Sequence, residues 1–168
     1  MLTTLFREIK PMFVLYAFLA LGITLTLSAF YIEYGLGAKP CEMCWWQRYT
    51  HWAIWSVALA GVALQRVVSP KVVIALLGAI VLVSGGIGYF QGLGQLGLVE
   101  LPTSCTGSGA PLAAAGNLLE ALMTEPAPSM PSCAEVNFAV FGVSLAWWNA
   151  ILMTVTASVL LAWTALKK

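Results

Sequence analysis

Residues 38–51 of the 168-residue chain read AKPCEMCWWQRYTH, which sets two cysteines three apart beside an arginine and the one histidine of the sequence. Thiols at that spacing suit three chemistries: a metal clip, a disulfide staple, or a redox pair that cycles between dithiol and disulfide. At about 100° per residue, Cys41, Cys44, Arg48 and His51 fall within an arc of about 80° on one face of a helix. A cysteine that opens such a helix is driven toward thiolate by its C-x2-C setting, by the helix N-terminus and by a nearby guanidinium. Bland alternatives stand beside this one. Arg48 can snorkel to lipid headgroups or pair with Glu33 or Glu42, and a lone helical histidine is commonly a packed or hydrogen-bonded residue.

Two further cysteines, Cys105 and Cys133, stand 28 positions apart. Closing that loop with a disulfide contributes about 3–4 kcal/mol in the chain-entropy account, whereas a three-residue loop gains little. A structural staple is therefore a credible reading of Cys105 with Cys133 and a poorer one of Cys41 with Cys44. Zinc is disfavoured, because four-cysteine sites commonly use two C-x2-C pairs and only one is present. No metal site is expected.

The elements that hold these residues are apolar. Hydrophobic residues make up 60% of the chain and charged ones 9%, with a mean hydropathy of +0.88. Soluble domains carry about 25% charged residues, so an integral membrane protein is expected. No basic run could follow a phosphate backbone, which excludes nucleic acid as a partner. Runs free of charge cover 11–32, 49–65, 72–99 and 136–166, each near or above the roughly 20 residues that cross a bilayer as a helix. The expected fold is all-α, a single domain with a bundle of four transmembrane helices at about 12–34, 44–64, 72–92 and 142–165. Gly92, Gly94 and Gly97 mark the expected end of the third. The first span has too long an apolar core for a cleaved signal, and Leu36 spoils the nearest cleavage site.

Orientation follows the basic residues. In a four-span arrangement Arg7, Lys10, Arg66, Lys71, Lys167 and Lys168 share one side with Glu8, giving +5, while Lys39 and Arg48 share the other with six acids, giving −4. That predicts cytoplasmic termini and four cysteines outside, in an oxidising compartment where cysteines pair. The long outer segment, about 93–141, is expected to contain a short amphipathic helix. There Leu112, Ala115, Leu118, Leu119, Leu122 and Met123 follow 3.6-residue spacing until EPAPSMPS (125–132) stops it. Such a helix lies in the membrane interface or simply covers the loop. Trp45, Trp46, Trp147 and Trp148 suit an aromatic belt, although Trp45 and Trp46 adjoin the cysteines and could wall a flat aromatic ligand.

Thiol oxidation in this place needs a sink for two electrons. The haem signature CXXCH is absent, since Trp45 follows Cys44, and no GxGxxG context serves a flavin or nicotinamide. A lipid-soluble quinone reaches a helix-bound cysteine from the bilayer. Its carbonyl oxygen takes a cationic or hydrogen-bonding neighbour as it is reduced, and Arg48 meets that demand.

KPCEMCWWQRY (39–49) and PSCAEVNFAVFGVSL (131–145), with the four spans and the order of the cysteine pairs, resemble the disulfide bond formation protein B family, DsbB. The likeness covers most of the chain. The related vitamin K epoxide reductases place C-x-x-C in a late helix instead. The resemblance implies a multi-pass oxidoreductase of the bacterial inner membrane that reoxidises a periplasmic DsbA-like dithiol oxidase and passes the electrons to ubiquinone or menaquinone from the membrane pool. By position it implies that Cys105 takes the partner's attack, that Cys133, once released, attacks Cys41, and that Cys44 serves the quinone with Arg48 supporting it. One departure stands out. Family members often carry a basic residue near the outer end of the third helix, and GGIGYFQGLG (85–94) has none. Tyr89 and Gln91, with His51 and Trp45, are left as candidate quinone contacts. The rivals are a non-catalytic four-helix membrane protein with two inert disulfides, and a paralogue dedicated to one special partner.

Overall fold

The computed structural model describes residues 8–102 and 130–166. Among them run four long helices, α1 (Pro11–Phe30), α2 (Glu42–Ala63), α3 (Pro70–Gln95) and α4 (Leu145–Leu166). A five-residue π-helical turn, Tyr31–Gly35, prolongs α1. Pro11 and Pro70 open α1 and α3, where the missing N–H has no intrahelical partner to lose and the fixed φ suits the helix.

Three segments, Pro11–Gly35, Pro70–Gln95 and Leu145–Leu166, are long and apolar enough to cross a membrane. The chain is a membrane protein of mostly helical structure. α2 matches them in length but carries Gln47, Arg48 and His51, and turns all three inward, where they are buried. Each helix packs on the next in chain order, and α1 also touches α3. Leu15 and Phe18 of α1, Ile54 of α2, Leu77 and Val81 of α3 and Met153 of α4 meet in the core. Close approach of α3 and α4 depends on Gly88, where a Cβ would stand 2.9 Å from both the Ala146 carbonyl oxygen and the Ala150 nitrogen. Small residues of this kind let helix backbones meet where lipid supplies no hydrophobic drive.

α3 ends at Gln95, within the stretch marked by Gly92, Gly94 and Gly97. Gly92 serves packing there, since a Cβ on it would lie 2.7 Å from the Trp147 indole. The chain breaks away only after Leu96, at Gly97, whose φ is +70°.

Part of the outer segment departs from the all-α expectation. β1 (Ala139–Val140) and β2 (Val143–Ser144) form an antiparallel hairpin with Val140 opposite Val143. Its tip residues Phe141 and Gly142 have φ of 51° and 77°, the left-handed pair of a type I′ turn. α4 consequently starts at Leu145 and not near 142. Trp148 Nε1 donates to the Val140 carbonyl at 3.1 Å, and Ser144 Oγ to Gln95 Oε1 at 2.6 Å, which ties the hairpin to α4 and α3. The amphipathic helix expected around 112–123 lies outside the described residues.

Candidate functional site

The first turn of a helix leaves backbone N–H groups without intrahelical partners and a partial positive charge. At α2 two sulfurs take up that role. Cys41, held extended (φ −82°, ψ 175°), is the N-cap, and its Sγ accepts from the Cys44 nitrogen at 3.4 Å. Cys133 Sγ accepts from the Met43 nitrogen, also at 3.4 Å, across 90 positions of sequence. A turn at Ser132 delivers it: Ser132 Oγ accepts from the Ala134 nitrogen at 3.2 Å, and the Ser132 carbonyl from the Glu135 nitrogen at 3.4 Å. Both sulfurs are buried among Met43 and Leu101.

The three described cysteines form a row. Cys133 and Cys41 are buried side by side in one cluster, and Cys41 Sγ lies 2.7 Å from Cys44 Sγ. Contact with Cys133 and then with Cys44, followed by burial, pushes the Cys41 thiol above its ordinary value. Gln91 of α3 reaches in, its Nε2 3.2 Å from Cys41 Sγ and 3.8 Å from Cys44 Sγ. Its Oε1 accepts from Gln47 Nε2 at 2.9 Å, which fixes which end of the amide faces the sulfurs.

One turn below Cys44, Arg48 is buried and ion-paired with Glu33 of the π-helical turn. It also donates to the Ala29 carbonyl at 3.2 Å, with its guanidinium 4.8 Å from the Trp45 ring centre and 5.4 Å from that of Phe30. Of the alternatives open in the sequence, pairing with Glu33 is therefore present, and the charge is held in place by a carboxylate and two rings.

His51 lies almost another turn along. Its Nε2 is 3.0 Å from Asn149 Oδ1, and Asn149 Nδ2 donates to the Ser84 carbonyl at 2.8 Å. A carbonyl only accepts, so Asn149 must turn Oδ1 to the imidazole, and Nε2 carries the ring proton. Cys44, Gln47, Arg48, His51, Gln91 and Asn149 all line one cavity of about 260 Å³, walled further by Ala29 of α1, Trp148 of α4 and the returning Glu135 and Asn137.

The match to the family model described as disulfide bond formation protein DsbB spans residues 10–163. The chain belongs to the DsbB family. No curated protein and no solved structure matched it. DsbB proteins are disulfide-forming membrane oxidoreductases that act by thiol oxidation, are generally quinone-linked and imply a DsbA-like partner.

Against that DsbB background, the structure gathers Cys41, Cys44, Cys133, Arg48, His51 and Gln91 at one end of the bundle. Cys105 lies outside the described residues. Tyr89 is not in the cavity: its hydroxyl is 3.1 Å from Thr154 Oγ1 and its ring meets the Trp147 edge. Trp45 lies over Arg48 and does not line the cavity, where Trp148 does. Gln47 and Asn149 were missed in the sequence. A lone asparagine inside an apolar span is costly unless it faces the interior, and that signal was available at Asn149.

Proposed function

We propose that this chain is a four-span protein-dithiol:quinone oxidoreductase of the bacterial inner membrane, with cytoplasmic termini and periplasmic cysteines. α2 is the remaining crossing, its polar face turned into the bundle as an intramembrane charge requires. The observation that carries the reading is the row Cys133, Cys41, Cys44, whose last member borders the cavity that Arg48 and His51 also line.

A dry cavity of about 150 Å³ takes a benzene ring, so 260 Å³ holds a quinone headgroup. Arg48 supplies hydrogen-bond donors for the quinone oxygens, and the unpartnered Nδ1 of His51 an acceptor for the hydroxyl of the reduced ring. These residues fit ubiquinone or menaquinone drawn from the membrane pool. When bound, the quinone supplies a sink for two electrons and two protons.

The chain's own sulfurs do the rest by thiolate attack on disulfides. A thiolate of the reduced DsbA-like partner attacks Cys105 in a Cys105–Cys133 disulfide, forms a mixed disulfide and releases Cys133. Cys133 attacks Cys41 in a Cys41–Cys44 disulfide and releases Cys44 as thiolate beside the cavity. The α2 N-terminus and Gln91 Nε2 stabilise the charge there. The partner's second thiol then displaces Cys105, which returns to Cys133 and frees Cys41. The partner leaves oxidised, and Cys41 and Cys44 hold the electron pair.

Alone, Cys41→Ser and Cys44→Ser should each abolish catalytic oxidation of a reduced DsbA-like partner, and Cys105→Ser should give no productive mixed disulfide. Full turnover by Cys41→Ser or Cys44→Ser would make the pair an inert staple and overturn the reading.

A further inference from the structure

Among the described residues, one buried side-chain nitrogen or oxygen lacks a hydrogen-bond partner, and it is His51 Nδ1. Leaving such an atom unpaired in a closed interior is costly. His51 itself is 7% exposed and lines the cavity. Its other nitrogen is fully engaged. Asn149 Oδ1 accepts from Nε2, Asn149 is held by the Ser84 carbonyl, and Ser84 Oγ accepts from Thr50 Oγ1 at 2.8 Å. Three helices thus fix the ring in the tautomer that leaves a lone pair on Nδ1.

A lone pair selects its ligand. A quinone carbonyl offers only acceptors and finds nothing to bond at a neutral Nδ1, whereas a hydroquinone hydroxyl donates to it. His51 also stands seven positions beyond Cys44, about 10 Å along the helix axis, with Arg48 between them. The cavity accordingly has one end at the reacting sulfur and another at the imidazole.

We infer that His51 is the proton-transfer residue of quinone reduction: Nδ1, bare at rest, takes up a proton released by the thiols, gives it to the quinone oxygen and then, neutral again, accepts the hydrogen bond of the new hydroxyl. This rests on the function proposed above. Forming the Cys41–Cys44 bond releases two electrons and two protons, and both electrons and both protons go to the quinone. At His51 one thiol proton first forms the Nδ1–H bond, and that bond breaks as the oxygen–hydrogen bond forms, which returns the ring to its neutral resting state. No other reactant enters. His51 is then the basic residue that the outer end of α3 lacks, supplied from α2.

The chain has a single histidine, so [15N]histidine reports this ring alone. Cys44→Ser protein without a polyhistidine tag, in nanodiscs, is read by 15N NMR alone and with ubiquinol-1 or menadiol under anaerobic conditions. The expected spectrum has a neutral ring protonated at Nε2, and at least one hydroquinone shifts the Nδ1 resonance while Nε2 keeps its proton. In cysteine-intact protein, His51→Gln should lower kcat for quinone reduction about 10²-fold, with quinone KM and quinone-free exchange with the reduced partner unchanged. A ring protonated at Nδ1, or an Nδ1 resonance that neither hydroquinone moves, overturns the assignment even where His51→Gln does not fold. Unaltered kcat in folded His51→Gln overturns it too. Cysteine-intact protein that reduces no quinone would instead sink the functional reading itself.

Discussion

Gln91 Nε2 donates to Cys41 Sγ at 3.2 Å while its Oε1 is held by Gln47. The sulfur pair is therefore braced from α3, by a residue that the sequence offered only as a quinone contact. A hydrogen bond to a charged group is worth about 1.5–3 kcal/mol, and 30 mV corresponds to about 1.4 kcal/mol for a two-electron couple. Gln91→Leu removes a donor that favours the reduced, anionic pair. The Cys41–Cys44 potential should fall by about 30–60 mV, read by equilibration against a reference dithiol.

Arg48 and Glu33 form a pair in which both side chains are largely buried, at 8% and 17% exposure. Removing one member leaves an uncompensated charge, at about 3–5 kcal/mol for a buried pair. Glu33→Leu and Arg48→Leu should each lower the thermal midpoint, and the double variant should recover most of the loss. Quinone reduction should stay impaired in the double variant, because the guanidinium is gone. Recovered stability with impaired activity separates Arg48 as a cavity residue from Arg48 as a strut.

Phe141 sits at φ 51° on the tip of the hairpin, a conformation that costs a residue with a side chain roughly 1–2 kcal/mol. Asparagine tolerates it. Phe141→Asn should raise unfolding stability by up to about 1 kcal/mol, and Phe141→Val should lower it, as measured by denaturant titration in detergent.

The membrane class and the mostly helical build were legible in the sequence, because long charge-free runs mark apolar spans, and 3.6-residue spacing set Cys44, Arg48 and His51 toward what is one cavity. The hairpin was not. Its turn uses Phe-Gly where Asn-Gly or Asp-Gly would have announced it. α3 ends at Gln95, among the three glycines that marked its end, although Gly92 itself answers to Trp147 across a helix contact. Tertiary partners were hidden. Nothing local to Cys133 says that it accepts from Met43, or that Asn149 fixes the tautomer of His51.

The central claim is that electrons leave the Cys41–Cys44 pair for a quinone in the adjoining cavity. It is tested most directly by anaerobic quinone absorbance with purified protein, a reduced DsbA-like partner, and ubiquinone or menaquinone analogues. The account predicts loss of quinone absorbance matched one for one by partner disulfide, and none with Cys44→Ser. No absorbance change with either quinone class would contradict it.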